Sequence, residues 1–308
     1  MQQAVLISGA SGLIGTALSD HLRSAGYAVH KLERDNPNAQ FNYSSASKKA
    51  TLDDSIPLHA VVNLAGPSIA DGRWTDSRKR ELLDSRVDVT TALASALATA
   101  TKPPAVFLSA SAVGFYGQSD EPLDEDSPAG SDFLASVATQ WEHSTAPARI
   151  AAIPTAHLRF GVVLSTRGGV LGKLMLPFSL CAGGRLGDGT QLMSWIALPD
   201  VLRILTRLIE EPALLTAHTD PKGACALNLV AGKPITNADF TKALGRAIRR
   251  PTPFPLPKSL IRLLFGEMGD ALLLGHSSVI SQRLPNLGIA LQYPNIDLAL
   301  AYLVKNKA

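Results

Sequence analysis

The chain has 308 residues and a mass of 32.5 kDa, which fits one large α/β domain, or a domain plus a lobe, at about 100–200 residues each. A hydrophobic content of 46% fills a sizeable core and excludes a disordered or fibrous chain. Basic residues exceed acidic ones by three, 29 against 26, with no basic run longer than the three residues Arg78-Lys79-Arg80, so nothing calls for a nucleic-acid partner.

Residues 4–8 are a short apolar run, as expected of a strand buried on both faces. Gly9, Gly12 and Gly15 follow, and Leu13, Ile14, Ala17, Leu18, His21 and Leu22 then recur at helical spacing until Gly26. Further strands are predicted over 28–32, ending at Glu33-Arg34, over 60–65 and over 105–109, with a helix over about 76–100. Strands alternating with helices predict a doubly wound parallel sheet whose strand ends share one edge. Another strand is predicted over 157–164, a helix from Pro199 to about Glu210, and a late strand over 226–230. Residues 251–257 hold four prolines and predict a rigid connector, with helices after it outside the sheet. The expected division is a cofactor domain over 1–164, to which segments near 197–212 and 226–230 return, and a substrate-side lobe over 165–308.

A G-x-x-G-x-x-G pattern between a strand and a helix is the setting in which backbone approaches a pyrophosphate and a helix N-terminus faces it. Gly9, Ser11, Gly12, Leu13 and Ile14 are the candidate cofactor residues there. The end of the second strand selects the nucleotide: Glu33 suits a free ribose hydroxyl and Arg34 a 2′-phosphate, and their adjacency leaves both open. Cys181 and Cys225 have no metal-ligand spacing, no histidines pair at ligand spacing, and the two thiols are expected buried in a reducing cytosol. No apolar stretch reaches the ~18 residues that span a bilayer, and no basic signal-peptide segment opens the chain, so a cytoplasmic protein without metal or membrane partner is expected.

The glycine motif, Asn63-Leu64-Ala65-Gly66, Ser109-Ala110-Ser111 running on to Phe115-Tyr116-Gly117, and Met193-Ser194-Trp195-Ile196 together resemble the short-chain dehydrogenase/reductase superfamily. More narrowly they resemble its atypical "epimerase family protein" group, similar to the extended nucleotide-sugar epimerases. The resemblance implies an extended Rossmann-type α/β fold with a smaller C-terminal lobe, and NADP(H) as cofactor, which gives the phosphate to Arg34 and leaves Glu33 its backbone. It also implies that Leu64 and Ala65 line the adenine and ribose side, that Gly66, Glu81 and Arg86 belong to the cofactor site, and that Val162 approaches the nicotinamide. Arg86 sits among Leu82, Leu83, Val87 and Val89, a partly covered face on which a cation needs a counter-charge.

Enzymes of the superfamily take the substrate proton with a tyrosine activated by a lysine four residues on. Here the matching positions are Leu134 and Ala138, counted back from Glu142, so that helix carries no Tyr-x-x-x-Lys; the one such spacing in the chain, Tyr27 to Lys31, falls at the predicted second strand. Ser111 matches the serine that positions the substrate hydroxyl. Tyr116 is either a substitute acid/base or a packed aromatic turn, and Trp195 either stacks on a sugar or base or belongs to the core. Two functions follow: an NADP(H)-dependent epimerase or reductase acting on a small hydroxylated or carbonyl substrate, such as a nucleotide sugar, or an NADP(H)-binding sensor or scaffold that has lost proton transfer. Apolar residues after 258, among them Leu260, Leu263 and Leu264, must pack on the main domain or on another subunit, as in a homodimer.

Overall fold

Strand β1 (Ala4–Ser8) is buried at every position, and five more strands join it: β2 (Ala28–Lys31), β3 (Leu58–Asn63), β4 (Val106–Ala112), β5 (Thr155–Phe160) and β6 (Ala224–Leu229). This computed structural model describes residues 2–306. The six strands form one parallel sheet in the order β6-β5-β4-β3-β1-β2. The order reverses beside β1, so a crevice opens outside the carboxyl ends of β1 and β3.

Side chains alternate across the sheet because a strand has a period of two. Val5, Ile7, Val62, Leu108 and Leu158 face α1 (Leu13–Ser24) and the later helix Leu198–Glu210. Leu6, Val61 and Phe107 face α2 (Asp76–Ala98), whose Leu93 and Leu97 join them. Thr75 caps α2 by accepting from the Arg78 N–H (3.2 Å), and Asp132 caps α3 (Phe133–His143) by accepting from Ala135 N–H (2.8 Å). These caps fix where the two helices enter the crevice side of the sheet.

Three features differ from the sequence expectation. The predicted strand over 157–164 breaks at Gly161, where a Cβ would meet Ser194 O at 2.8 Å; Val162–Leu164 leaves the sheet to pair with Trp195–Ala197. Glu33–Arg34 does not extend β2 but pairs with Phe41–Ser44, which pairs with Lys49–Leu52 in a small side sheet. The C-terminal region is not helical throughout, since Ser277–Val279 pairs with Ser119–Leu123. Trp195 is buried with Leu164, Leu171, Phe178, Phe240 and Leu300 in a second core, which settles its role as packing. Cys225 is buried, whereas Cys181 is half-buried rather than hidden. No helix among the described residues is long and apolar enough to cross a membrane.

Candidate functional site

The chain leaves β1 through Gly9, whose φ of +67° lies in the left-handed region. A Cβ there would stand 2.5 Å from Leu64 O, so the segment after β3 closes directly on the turn. Gly12 N–H donates to Gly9 O (3.0 Å), and α1 then begins with neither a side-chain cap nor an acidic residue in its first turn. The positive end of that helix is uncompensated. Ser11 and Gly12 are exposed, and Leu13 and Ile14 half-buried, which keeps the turn accessible.

Leu64 N–H donates to Ser8 O (3.1 Å), and Ala65 N–H to Asn63 Oδ1 (3.4 Å), holding residues 64–66 beside the glycine turn. Gly66 lies on the Arg86 guanidinium, 3.1 Å from Cζ to where a Cβ would stand. Arg86 is only 8% exposed. It donates to Leu82 O (2.9 Å) and Pro67 O (2.8 Å) and lies over the Trp141 ring at 5.2 Å. No carboxylate pairs with it among the described residues. Burial, and then the neighbouring Arg78 charge, pull its pKa down to about 10. A buried cation supported only by carbonyls and a ring lacks its counter-charge, and its free donor geometry fits a phosphate.

Glu81, in contrast, is exposed and paired with Arg78 Nη1 (2.8 Å), while Arg78 Nη2 donates to Ser68 O (2.7 Å). Arg78 Nε is buried without a partner. No sequence motif singles out Arg78. At the far end of the crevice strands, Glu33 Oε2 accepts from Asn36 Nδ2 (2.7 Å), whereas Arg34 is exposed and makes no ion pair among the described residues. Neither has an ion pair among the described residues, and no side-chain hydrogen bond of Arg34 is seen there. Val162 N–H is used by Ser194 O (2.8 Å), and its half-buried side chain follows the end of β5.

The region expected to carry acid–base chemistry is organised differently. Ser111, Arg159 and Asn228 stand opposite one another on β4, β5 and β6 and share a face. Ser111 Oγ donates to Glu142 Oε1 (2.7 Å), and Arg159 Nε and Nη2 donate to both Glu142 oxygens (2.7 and 2.9 Å). Arg159 Nη1 donates to Tyr116 Oη (2.8 Å), and Tyr116 donates to Asn228 Oδ1 (2.8 Å). Burial would raise the Glu142 pKa, but the hydrogen bonds of Arg159, then those and the charge of His157, outweigh it and hold the carboxyl at about 2. Tyr116 is pushed up to about 12 by burial, against the pull of Arg159.

Both hydroxyls are therefore committed inside a buried network. Tyr116 is buried with its proton directed to Asn228, a geometry that favours the packed aromatic turn over the acid/base of its two readings. Leu134 lies over Gly114 (3.2 Å to where a Cβ would stand), and Ala138 is buried. Sequence reasoning named Glu142 only as an alignment mark and missed Arg159 and Asn228. The signal was there: an arginine inside the apolar run 157–164 requires a buried acid.

Residues 5–219 match the NAD dependent epimerase/dehydratase family, and residues 256–303 match a domain of unknown function, DUF1731. The chain is 39% identical over 301 residues to epimerase family protein Mb2239 of Mycobacterium bovis, covering 97% of this chain and 96% of that one. It is 34% identical to human epimerase family protein SDR39U1, covering 97% and 99%. A crystal structure of human SDR39U1 (isoform 2) with NADPH superposes with a TM-score of 0.84 at 31% identity, over 99% of this chain and all of that one. A glycine turn against the segment after β3, the parallel sheet that carries both, and these matches along nearly the whole length agree: the chain belongs to the NAD dependent epimerase/dehydratase family, with a C-terminal DUF1731 domain.

Proposed function

We propose that the protein binds NADP(H) in this crevice and acts as an epimerase-like oxidoreductase on a small hydroxylated or carbonyl substrate. The observation that carries the proposal is Arg86, a buried guanidinium without a carboxylate, beside Gly66 and the uncapped start of α1. The human relative with NADPH supports the nucleotide class. Gly9, Ser11, Gly12, Leu13 and Ile14 would hold the pyrophosphate, and Arg34 the 2′-phosphate, with Glu33 contributing its backbone. Leu64, Ala65, Gly66, Glu81 and Arg86 would line the adenosine side, and Val162 the nicotinamide end.

When bound, the cofactor supplies hydride transfer, while the crevice orients the substrate and excludes water. Ser111 donates its proton to Glu142 and would position a substrate hydroxyl by accepting from it with its lone pairs. Leu134 and Ala138 support a second proposal, an NADP(H)-holding sensor or scaffold, because neither side chain carries a proton. General acid–base groups are worth roughly 10²–10⁴-fold, so their loss slows the chemistry without abolishing hydride transfer.

A calorimetric titration with NADPH and NADH, repeated on Arg34→Ala, tests the cofactor. NADPH binding that weakens at least tenfold in the variant, about 1.4 kcal/mol, supports the phosphate clamp. Absence of binding by either nucleotide overturns both proposals. With NADPH bound, single-turnover oxidation across a carbonyl panel separates an enzyme from a binding protein.

A further inference from the structure

The small side sheet brings two further side chains beside Arg34. Residues paired directly across neighbouring strands share a face of the sheet. Arg34 pairs with Tyr43 and Tyr43 with Ala50, whereas Glu33 pairs with Asn42 and Asn42 with Thr51. Tyr43 and Ala50 pack with Ala65 and Val89, so the face that carries Arg34 is turned to the segment after β3 and to α2, and the face that carries Glu33 is turned away.

Tyr43 is only 5% exposed, yet its hydroxyl has no hydrogen-bond partner among the described residues. Buried hydroxyls are normally paired, and one that is not points to a missing partner. Burial and then the Asp88 charge push its pKa up, Arg34 and Lys48 pull it down, and Asp35 adds to the rise, so the hydroxyl lies among these four charges. Lys48 stands in the turn of the hairpin at φ +51° and pairs with Asp88 of α2 (2.9 Å). The acids of this corner are occupied: Asp35 accepts from Ser45 N–H (2.7 Å) and Ser45 Oγ (2.8 Å), Glu33 from Asn36, and Asp88 from Lys48. A guanidinium and a hydroxyl are left without partners, with a lysine beside them. A phosphate has an acceptor oxygen for each; a ribose hydroxyl has one oxygen for all three and no charge to set against the arginine.

We propose that Tyr43 and Lys48 complete the 2′-phosphate subsite with Arg34: the Tyr43 hydroxyl donates to a phosphate oxygen, and Lys48, held in place by Asp88, supplies a second positive charge. The hairpin Phe41–Leu52 thereby shares with Arg34 the discrimination of NADP(H) from NAD(H). The inference rests on the crevice being the NADP(H) site, with Arg34 at the 2′-phosphate.

The test is calorimetry of NADPH and NADH on the full chain. Tyr43→Phe keeps the ring packed, Lys48→Asn keeps a residue that tolerates the left-handed turn, and Arg34→Ala is measured alongside. Tyr43→Phe is expected to weaken NADPH binding about tenfold, as losing a hydrogen bond to a charged group does. Lys48→Asn is expected to weaken it about two- to fivefold, the scale of an exposed charge pair. NADH binding should stay within about twofold of the parent in both, so that the preference for NADPH shrinks by the same factors. Parental NADPH affinity in both hairpin variants overturns the proposal. So does equal weakening of NADH, which would make the hairpin a wall of the adenosine site and not a reader of the phosphate. Arg34→Ala keeps the two readings apart: NADPH affinity lost there but parental in Tyr43→Phe and Lys48→Asn leaves the cofactor site standing and removes only the hairpin's part. A parent that binds neither nucleotide overturns the cofactor reading, and this inference with it.

Discussion

The two ends of the crevice treat their charges in opposite ways. Around Gly9, Gly66 and Arg86 the polar groups are left incomplete: a helix start has no cap and a buried guanidinium has no acid. Around Ser111 every charge and hydroxyl finds a partner within the protein, Arg159 and Glu142 in a bidentate pair and Tyr116 on Asn228. An incomplete site costs stability until a ligand completes it, whereas a complete one stabilises the fold and offers a ligand little. The first region leaves groups for a ligand to complete, as the proposed NADP(H) site requires, and the second is a brace across β4, β5, β6 and α3.

Breaking the brace is expected to give the largest effect. Glu142→Leu strands Arg159 in the interior, and unfolding in denaturant should show a loss of about 3–5 kcal/mol, the cost of leaving one member of a buried pair alone. NADPH affinity of the folded fraction is expected to stay within threefold of the parent, since Glu142 has no bond to the glycine turn. A large affinity loss at unchanged stability would mean that the two regions are not separate.

The same carboxylate sets an acid dependence. Its pKa falls from an ordinary glutamate value to about 2 on folding, so the unfolded chain binds its proton first. Its contribution to stability is therefore complete above about pH 4.5 and is lost as pH falls toward 2. Glu142→Gln should flatten the stability profile across that window, measured as the denaturant midpoint at each pH. An unchanged profile would assign the acid sensitivity to other carboxylates.

Arg86→Met sharpens the comparison from the other side. Removing an uncompensated cation should leave the stability of the nucleotide-free protein within about 1 kcal/mol. NADPH affinity should fall tenfold to a hundredfold, because charged hydrogen bonds are worth roughly 1.5–3 kcal/mol. Calorimetry and denaturation on one preparation give both numbers, and a variant that unfolds while binding NADPH normally would reverse the assignment. Ser111→Ala removes one hydrogen bond to the Glu142 carboxylate and is expected to cost about 1.5–3 kcal/mol of stability, with nucleotide binding intact.

Much of the binding end was legible in the chain because its causes are local. The apolar runs that become β1, β3 and β4 lie next to the turns they end in, and the glycines at 9, 12 and 15 sit within one turn and one helix start. Arg86 could be expected to be covered because its helical neighbours are apolar, and it is. The brace was not legible. Glu142 lies 31 residues from Ser111 and 17 from Arg159, and only strand register together with the packing of α3 on the sheet brings the three together.

The amino-acid sequence determined the alternation of strands and helices, the glycine turn, and the absence of a Tyr-x-x-x-Lys pair from the helix that holds Leu134 and Ala138, since each depends on residues a few positions apart. Tertiary structure alone decided that the strand over 157–164 breaks at Gly161, because the clash that forbids a side chain there comes from Ser194. It also decided which cation would be satisfied: Arg159 meets a carboxylate across the sheet and Arg86 does not. Whether a buried charge is a brace or a binding group depends on what packs against it from distant parts of the chain, and that is fixed only when the layers close.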